Sequence, residues 1–394
     1  MFSVVIPTHN RLSLLTDAIE TVRCQQGAEW ELVIFDNAST DPIREHVSGL
    51  GDSRIRYERS SDFLPVTSSW NRAIDLARGE YIILLGDDDA LTPNYFVRLN
   101  EIVERFTSPE VIYSSIYQFM HPGVAPWDLE GYVADVKNGF FFSNHKSPSL
   151  LAPGEAKRAL AGSLHFSRNF TFNIQAFAFS RAFLARVRVN GQVFQSPFPD
   201  YYLANVAFAL SNSTVIVPEP LAIAGVSKAS FGYTLFNGLE EKGESLLNNK
   251  IANDPIYKEL LPRLLPSSAY ILNYVITMEY VARATHDRMH LSVDYARYRR
   301  LQIYTAVQAA LTGLPAGAGW PDLYKRLSIR ERVWAFAIKA ACRLSRRLPP
   351  LERLFRHALS MSYYGFQPEQ RICARGGYSR AYEIYQALET GTLH

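Results

Sequence analysis

Short apolar runs alternate with helix-like segments through the first 120 residues, and this alternation limits the folds open to the chain. The segment Arg11–Gln25, for example, carries apolar residues at helical spacing. Strands alternating with helices predict an α/β protein with a mainly parallel, doubly wound sheet. In such sheets ligands bind beyond the carboxyl ends of the strands. The strand-like runs are Phe2–Pro7, Glu31–Phe35, Arg54–Glu58, Tyr81–Leu85 and Val111–Ile116.

Three consecutive aspartates, Asp87–Asp89, follow the predicted strand Tyr81–Leu85 after a single glycine. Neighbouring carboxylates repel one another, and a divalent cation with a polyphosphate would relieve that repulsion. Carboxylate oxygens are ligands that Mg²⁺ and Mn²⁺ prefer. Asp36 also stands at the end of a predicted strand, so it and the triplet can face one crevice. The sequence therefore predicts an enzyme that uses a metal and a phosphate compound.

The composition is that of an ordinary globular protein. The chain has 394 residues, 47% of them hydrophobic and 20% charged, which suits two or three domains. No run approaches the roughly 20 apolar residues of a membrane span, and Met1–Pro7 predicts a strand rather than a signal peptide. Cys24, Cys342 and Cys373 are far apart and match no metal-binding spacing. We therefore expect reduced thiols and a cytoplasmic location.

A basic strip lies between residues 320 and 360, where ten lysines and arginines face three acidic residues. A basic amphipathic helix here would suit an anionic membrane, so we favour peripheral contact of residues 325–356 with the inner face of the cell membrane. The alternative is a helix packed on its own domain or on a partner in a homo-oligomer. No nucleic-acid reader motif accompanies the charge. The apolar residues of the predicted helix are Ile329, Val333, Trp334, Phe336, Ala337, Ala340, Ala341 and Leu344.

The rhythm of strands and helices changes after residue 120. Residues 120–165 predict a long irregular excursion, a feature that often serves as a lid. A second α/β stretch follows, and beyond about Gly238 the strand signals stop. We therefore predict one domain over residues 1–238 and an almost wholly helical C-terminal region over residues 239–394. That region would contact the acceptor, a membrane surface or another subunit.

Two common nucleotide-binding motifs, G-x-G-x-x-G after the first strand and G-x-x-x-x-G-K-[ST], are absent. Four other motifs occur in order across about 90 residues, and together they resemble those of the family 2 glycosyltransferases, which have the GT-A fold. The resemblance weakens through residues 120–235, and nothing beyond about residue 240 carries it. The four motifs are Val4–Arg11 (VVIPTHNR), Val33–Asp41 (VIFDNASTD), Trp70–Ile82 (WNRAIDLARGEYI) and Leu84–Pro93 (LLGDDDALTP).

The resemblance implies roles for the motif residues. Asp88 is the implied ligand of Mn²⁺ or Mg²⁺, with Asp89 in support, and Gly86 departs from the acid often found first in the motif. Asp87 would lie near the ribose or diphosphate of a nucleotide-sugar donor. Asp36 would bind the base, although a turn-capping aspartate is the alternative. The other implied donor-binding residues are Pro7, Thr8, Asn10, Arg11, Asn71 and Lys228.

Two of these implied roles carry open alternatives. Lys228 stands where related enzymes often have a histidine near the diphosphate, and a lysine can bind phosphate as a point charge. An ordinary surface lysine is equally compatible with the sequence. Asn71 is explained as well by a polar position on a helix face as by a donor contact.

An inverting transfer also needs a base that takes a proton from the acceptor hydroxyl. The family draws this base from a helix start about 100 residues after the metal motif, where Asp200 follows Pro199. The helix dipole would favour ionised Asp200, which makes it ready to accept a proton but a weaker base. A capping aspartate is the alternative. The nearest other acids along the chain are Glu155 and Glu219.

The sequence thus predicts an inverting, metal-dependent glycosyltransferase that moves a sugar from a nucleotide-sugar donor to a hydroxyl group. The donor that we expect first is a UDP-sugar. The acceptor would be a saccharide or a polyprenyl-linked compound of surface polysaccharide or glycan biosynthesis. A non-catalytic scaffold that binds carbohydrate or nucleotide is one alternative. A D-x-D-type phosphohydrolase is another, but its D-x-D-x-T pattern from Asp87 needs a threonine where Leu91 stands.

Overall fold

The structure is a computed structural model that describes residues 1–126, 128–136, 139–142, 144–249, 251–312, 320–345, 370–374 and 377–393. Within these ranges eleven strands form one mixed sheet. The strands are β1 (Phe2–Thr8), β2 (Trp30–Asp36), β3 (Ile55–Arg59), β4 (Tyr81–Leu84), β5 (Ala90–Leu91), β6 (Val111–Met120), β7 (Tyr132–Val136), β8 (Ser149–Leu150), β9 (Phe177–Ser180), β10 (Thr214–Val226) and β11 (Gln370–Ala374).

Helices follow most strands of the first half and dominate the second half. In the first half they are α1 (Leu12–Arg23), α2 (Ile43–Gly49), α3 (Val66–Asp75), α4 (Tyr95–Arg105), α5 (Gly139–Phe142), α6 (Pro153–Leu164), α7 (Arg181–Arg186) and α8 (Pro199–Leu210). In the second half they are α9 (Phe231–Phe236), α10 (Glu240–Leu247), α11 (Pro255–Leu260), α12 (Ala269–Met289), α13 (Tyr295–Thr312), α14 (Trp320–Lys325), α15 (Ile329–Ser345) and the C-terminal helix (Ala381–Glu389).

The sheet is parallel where strands alternate with helices and antiparallel elsewhere. Its order is β11-β7-β6-β9-β4-β1-β2-β3, and β10 runs parallel to β6 along that strand's whole length. In the β1–β2 pair Thr8 lies beside Asp36, and in the β1–β4 pair Val5 lies beside Leu84. The carboxyl ends of β1, β2 and β4 therefore meet at one edge. The predicted α/β class with a doubly wound sheet is confirmed, and the sheet is mixed.

Both faces of the sheet are covered, because successive residues of a strand point to opposite sides. In β1, Val5 belongs to one apolar core, whereas Val4 and Ile6 belong to a second. The first core contains residues of α3, α8 and α12, and the second contains residues of α1 and α4. Strands that are buried on both faces explain why these runs are apolar throughout.

The segment after residue 120 is more regular than the sequence predicts. Among its described residues, β7 pairs with the second half of β6, and β8 pairs with β10. The helix α6 (Pro153–Leu164) packs against α8 and α12. The prediction of a long irregular excursion over residues 120–165 is therefore wrong for its described residues. The aromatic residues that gave this impression, such as Phe141, are buried in the core.

The chain returns to the first half of the fold near its C-terminus. The strand β11 pairs antiparallel with β7, so the prediction that strands stop beyond Gly238 is wrong at this point. The C-terminal helix packs against α1, and Arg380 before it forms an ion pair with Asp17. Ile384 is fully buried beside Ala90 and Ile223, which belong to the strands around the acid triplet.

The other described elements of the second half are helices, as predicted. One apolar core runs across the predicted boundary at 238/239, because it contains Leu203 and Val206 of α8 together with Tyr274 and Val275 of α12. The boundary therefore marks a change in secondary structure, and separate folding of residues 1–238 stays a prediction. Within the described residues no helix is both long and apolar enough to cross a membrane. Arg346, Arg347, Arg353 and Arg356 of the basic strip lie outside these residues.

Candidate active site

A cavity of about 780 Å³ lies at the carboxyl ends of β1 and β4. Its lining combines the acid triplet Asp87–Asp89 with Asp200, which are more than 100 residues apart along the chain. Among the described residues that line it, Asp200 is the one carboxylate outside the triplet. The wall also contains apolar residues of α9 and α10, including Phe231 and Leu246. The two candidate halves of the predicted site therefore share one space.

Asp87 is held by two residues of the first motif. Thr8 donates from Oγ1 to Asp87 Oδ2 at 2.7 Å, and Arg11 donates from Nη1 to Asp87 Oδ1 at 2.9 Å. Arg11 also donates to the carbonyl oxygen of Ala229. Burial raises the pKa of Asp87, and the positive charge of Arg11 opposes that rise. Thr8 and Arg11 thus line the cavity, as does Pro7.

Asp88 connects the triplet to the segment that follows β10. Its Oδ2 accepts hydrogen bonds from Ser227 Oγ at 3.2 Å and from Ser230 Oγ. In the described part of the chain, no protein donor contacts its other oxygen, Oδ1. Gly225 passes so close that a Cβ there would lie 1.8 Å from the Asp88 carbonyl oxygen. This contact requires glycine at position 225. The carboxylate oxygen Oδ1 of Asp88 remains available to a ligand.

Asp89 is occupied by the protein itself. Its Oδ1 accepts from the backbone N–H of Gly225 at 2.9 Å and from Gln175 Nε2 at 3.2 Å, and its Oδ2 accepts from the N–H of Gly86 at 2.8 Å. These hydrogen bonds order the loop around Asp88, and a role of Asp89 in supporting a metal stays a prediction. A Cβ at residue 86 would lie 2.5 Å from Asp89 Oδ2, which explains the departure from an acid at Gly86.

The residues present fit a divalent cation that is shared with a ligand. In the ranges that the structure covers, no three His, Cys, Asp or Glu side chains converge as a metal site. Mg²⁺ commonly takes one or two carboxylates and completes its octahedron with phosphate oxygens and water. Asp88 offers one such carboxylate. Burial and the neighbouring Asp88 raise the pKa of Asp89 well above its usual range, and a cation would relieve this electrostatic cost.

Asp200 lies in the first turn of α8 and faces the cavity. Burial raises its pKa to about 7, whereas N–H groups at the helix start and the charge of Arg168 lower it by less. The prediction that the helix dipole makes Asp200 a weaker base is therefore wrong, because desolvation outweighs the dipole. The two other acids do not line the cavity: Glu155 pairs with His145 at 3.2 Å, and Glu219 pairs with Arg98.

Asp36 and Asn71 are engaged in structural contacts and are not among the described residues that line the cavity. Asp36 is fully buried, and its carboxylate accepts from the N–H of Ser39 at 2.8 Å and from Tyr57 Oη at 2.6 Å. The amide of Asn71 accepts from the N–H groups of Val193 and Phe194 and donates to two carbonyl oxygens. The structure therefore supports the turn-capping alternative for Asp36 and a structural role for Asn71.

Asn10 and Lys228 also lie outside the described cavity lining. Asn10 Oδ1 accepts from the N–H of Thr40 at 2.6 Å and so joins the loops that follow β1 and β2. Lys228 is exposed, and its ammonium end lies beside Gly123. Arg11, rather than Lys228, places a positive charge next to the triplet. Donor contacts of Asn10 and Lys228 have no support in this arrangement.

His9 and Arg168 are two cavity residues that received no role from the sequence. His9 stacks on Phe63 with ring centroids 4.2 Å apart, and His9 Nδ1 lies 2.7 Å from the carbonyl oxygen of Asn37. A signal for His9 existed, because it lies inside the first motif. Arg168 donates to Tyr201 Oη at 3.3 Å and lies near Asp200. No motif marks Arg168, so only the fold identifies it as part of the cavity.

Residues 3–155 match the profile described as Glycosyl transferase family 2. This N-terminal part belongs to glycosyltransferase family 2. The match contains the acid triplet of this family 2 domain and ends before Asp200.

Several curated relatives share parts of this family 2 domain. A putative colanic acid biosynthesis glycosyl transferase, WcaA, of Escherichia coli is 38% identical over 96 residues, which are 24% of this chain and 34% of that protein. The GalNAc(5)-diNAcBac-PP-undecaprenol beta-1,3-glucosyltransferase of Campylobacter jejuni is 34% identical over 92 residues, or 23% of this chain and 30% of that protein. The chain thus spans about a third of the length of these relatives.

One solved structure that this chain resembles is S. aureus TarS 1-349 in complex with UDP-GlcNAc. The alignment covers 78% of this chain and 81% of the TarS chain. The sequence identity is 12% and the TM-score is 0.46.

Proposed function

We propose that this family 2 protein is an inverting, metal-dependent glycosyltransferase. It would move a sugar from a nucleotide-sugar donor to a hydroxyl of a saccharide or polyprenyl-linked acceptor. We expect the donor to be a UDP-sugar and the reaction to take place in the cytoplasm. The observation that carries the proposal is the cavity shared by Asp88 and Asp200. Relatives named for colanic acid biosynthesis and for an undecaprenol-linked acceptor support a role in surface glycan synthesis.

In this proposal Asp200 is the general base. Its carboxylate takes the proton of the acceptor hydroxyl, and that oxygen forms a bond to the anomeric carbon of the donor. The bond between this carbon and the diphosphate oxygen breaks, and the nucleoside diphosphate leaves with the electron pair. Because attack comes from the opposite face, the configuration inverts. A pKa of about 7 suits a base that works near neutral pH.

The other end of the reaction is assigned to the acid triplet and Arg11. A cation held by Asp88 would supply Lewis-acid stabilisation of the charge on the departing diphosphate. Arg11 contributes a permanent positive charge beside Asp87. Thr8 and Arg11 fix the orientation of Asp87, and the Asp89 carboxylate fixes the loop.

The aromatic part of the cavity suits a carbohydrate acceptor. Phe198 and Tyr201 precede and follow Asp200 closely in sequence, and their ring centroids lie 5.1 Å apart. Phe231 of α9 lies 5.4 Å from Phe198 by the same measure. Aromatic rings offer apolar faces to the C–H groups of a sugar, while a few polar groups fix its orientation. Such a wall also keeps water away from the base.

The decisive experiment measures release of nucleoside diphosphate from UDP-, GDP- and dTDP-sugars, with Mn²⁺ or Mg²⁺, with and without a saccharide acceptor. Wild-type protein should turn over one donor class, and Asp88→Ala should abolish turnover. Asp200→Asn should retain donor binding by calorimetry but lose about 100-fold or more in turnover, as expected for a missing general base. Glu155→Gln is the matched control, and it should keep wild-type turnover.

Other outcomes would overturn the proposal. Binding of donor without turnover of any donor would indicate a scaffold. Release of free phosphate from a phosphomonoester would indicate a phosphohydrolase. Full turnover by Asp200→Asn would require another base, and equal loss in Glu155→Gln would show that the assay reports folding.

A further inference from the structure

The helix α15 (Ile329–Ser345) has two apolar faces rather than the one that the sequence predicts. On the first face Ala335, Ile338 and Cys342 are buried. They belong to an apolar core that also contains Ile303 of α13 and Leu323 of α14. Through this face α15 packs on α13 and α14.

The second face of α15 is exposed. The exposed fractions are 81% for Ile329, 67% for Val333, 78% for Phe336 and 56% for Leu344. Spacings of three, four and eight residues place these side chains along one stripe of the helix. Among the described residues, nothing covers this stripe. A continuous apolar stripe of this kind is uncommon on a protein surface and marks a site of interaction.

Cations accompany the stripe. The helix contains four cationic residues, of which Arg330 and Arg343 are exposed and Arg332 and Lys339 are partly exposed. Its one acidic residue, Glu331, is bound by Arg299 of α13 through an ion pair at 2.5 Å. The exposed surface of α15 is therefore apolar along its middle and positively charged beside it.

We propose that the exposed stripe of α15 lies in the headgroup layer of an anionic membrane. At 1.5 Å per residue the helix is about 26 Å long, so the whole stripe can lie flat on the surface. The apolar side chains would enter the acyl boundary and the arginines would pair with anionic headgroups. A second copy of α15 fits less well, because the same cations would face one another.

This site is separate from the catalytic cavity, since no residue of α15 lines it. The proposal therefore does not depend on glycosyl transfer, and it can be tested without a donor or an acceptor. It also limits the predicted membrane contact of the basic strip to one helix, α15, and to the face of α15 that is not packed on α13 and α14.

The test is co-sedimentation of the full chain with vesicles of equimolar phosphatidylcholine and phosphatidylglycerol, and with vesicles of phosphatidylcholine alone. The wild-type protein should bind the anionic vesicles, bind the neutral ones far more weakly and dissociate as salt is added. Phe336→Ser should weaken binding to anionic vesicles about tenfold or more, because a large apolar side chain is lost from the interface. Arg330→Gln with Arg343→Gln should weaken it by about 10- to 30-fold.

Matched controls come from other exposed positions. Leu129 is 69% exposed, and Leu129→Ser should bind like the wild type. Lys157 and Lys258 are exposed lysines of α6 and α11, and Lys157→Gln with Lys258→Gln should bind normally as well. Thermal unfolding of each variant verifies that it is folded.

Three results would overturn the proposal. The first is no binding to anionic vesicles by folded wild-type protein. The second is equal binding to neutral and anionic vesicles, which would leave the arginines without a role. The third is a stable dimer in light scattering that Phe336→Ser converts to monomers, which would show that a second copy covers the stripe.

Discussion

Asp200 shows how two local effects compete at a single residue. The helix start offers N–H groups and a dipole that favour the carboxylate, whereas burial favours the neutral acid. Burial is the stronger effect, and the pKa of Asp200 rises to about 7. The residue thereby becomes a stronger base, at the cost of being protonated in mildly acidic solution.

The pH dependence of turnover should report this pKa. A general base must be deprotonated, so kcat/KM should rise as the pH increases through about 7 and level off above it. This rise of kcat/KM with pH should be absent from the residual rate of Asp200→Asn. The rise in kcat/KM should correspond to the loss of roughly one proton. A kcat/KM that does not change between about pH 5.5 and 8 would contradict the assignment.

The same pKa predicts an effect on stability. An acid with a folded-state pKa above its unfolded value disfavours folding once it ionises, so the penalty is absent below about pH 4 and complete above about pH 7. Asp200→Asn should therefore raise the Tm at pH 8. The corresponding gain in the free energy of unfolding is at most about 4 kcal/mol, at roughly 1.4 kcal/mol per pKa unit. At pH 4 the difference from the wild type should vanish. A lower Tm at pH 8 would contradict it.

Gly225 is a second residue whose identity is set by a close contact. Gly225→Ala would place a Cβ 1.8 Å from the Asp88 carbonyl oxygen, so β10 or the triplet must move. We expect a loss of about 1–3 kcal/mol or more in the free energy of unfolding, together with loss of turnover. Gly49→Ala is the control, since nothing lies within 4 Å of its Cβ. Equal stability of both variants would contradict the expectation.

At the scale of elements, the C-terminal helix closes the back of the active-site strands. Ile384 is fully buried in a core with Ala90, which directly follows Asp89, and Ile223, which lies two residues before Gly225. An element that is more than 280 residues away in sequence thus supports the loop around Asp88. The ion pair between Arg380 and Asp17 fixes its position on α1.

Ile384→Ala should therefore affect both stability and activity. The cavity left in this core should cost about 2–5 kcal/mol in urea unfolding, and turnover should fall more than donor binding because the triplet loop is loosened. Gln386→Ala on the exposed side of the same helix should leave both unchanged. Unaltered unfolding of Ile384→Ala would show that the helix is not docked in solution.

At the scale of the whole molecule, the candidate active site depends on helices of the second half of the chain. The helix α8, which carries Asp200, packs against α12, whose Tyr274, Val275 and Met278 are fully buried. The C-terminal region is therefore part of the support of Asp200, the proposed general base, as well as a candidate membrane contact.

Residues 1–238 alone should not unfold cooperatively, because removal of α12 exposes one side of the core. Residues 1–312 retain α12 and should keep a cooperative transition, weakened by loss of the C-terminal helix. Calorimetry of the two fragments and the full chain measures this. A transition of residues 1–238 near that of the full chain would establish the predicted boundary as a true domain limit.

The sequence by itself determined the α/β class, the strand ends that carry the triplet and the candidate base Asp200. These features depend on local periodicity and on short motifs, which residues close in sequence define. The tertiary structure alone showed that Asp89 accepts hydrogen bonds from N–H donors, that Asp36 and Asn71 make structural hydrogen bonds, and that burial raises the pKa of Asp200.

The tertiary structure also decided the return of the C-terminus to the sheet and the division of α15 into a buried and an exposed face. Burial, hydrogen-bond saturation and local electrostatics all depend on which distant segments come into contact. A pattern within a single element, such as the apolar residues of α15, shows that contacts must exist. It does not show which partner makes them.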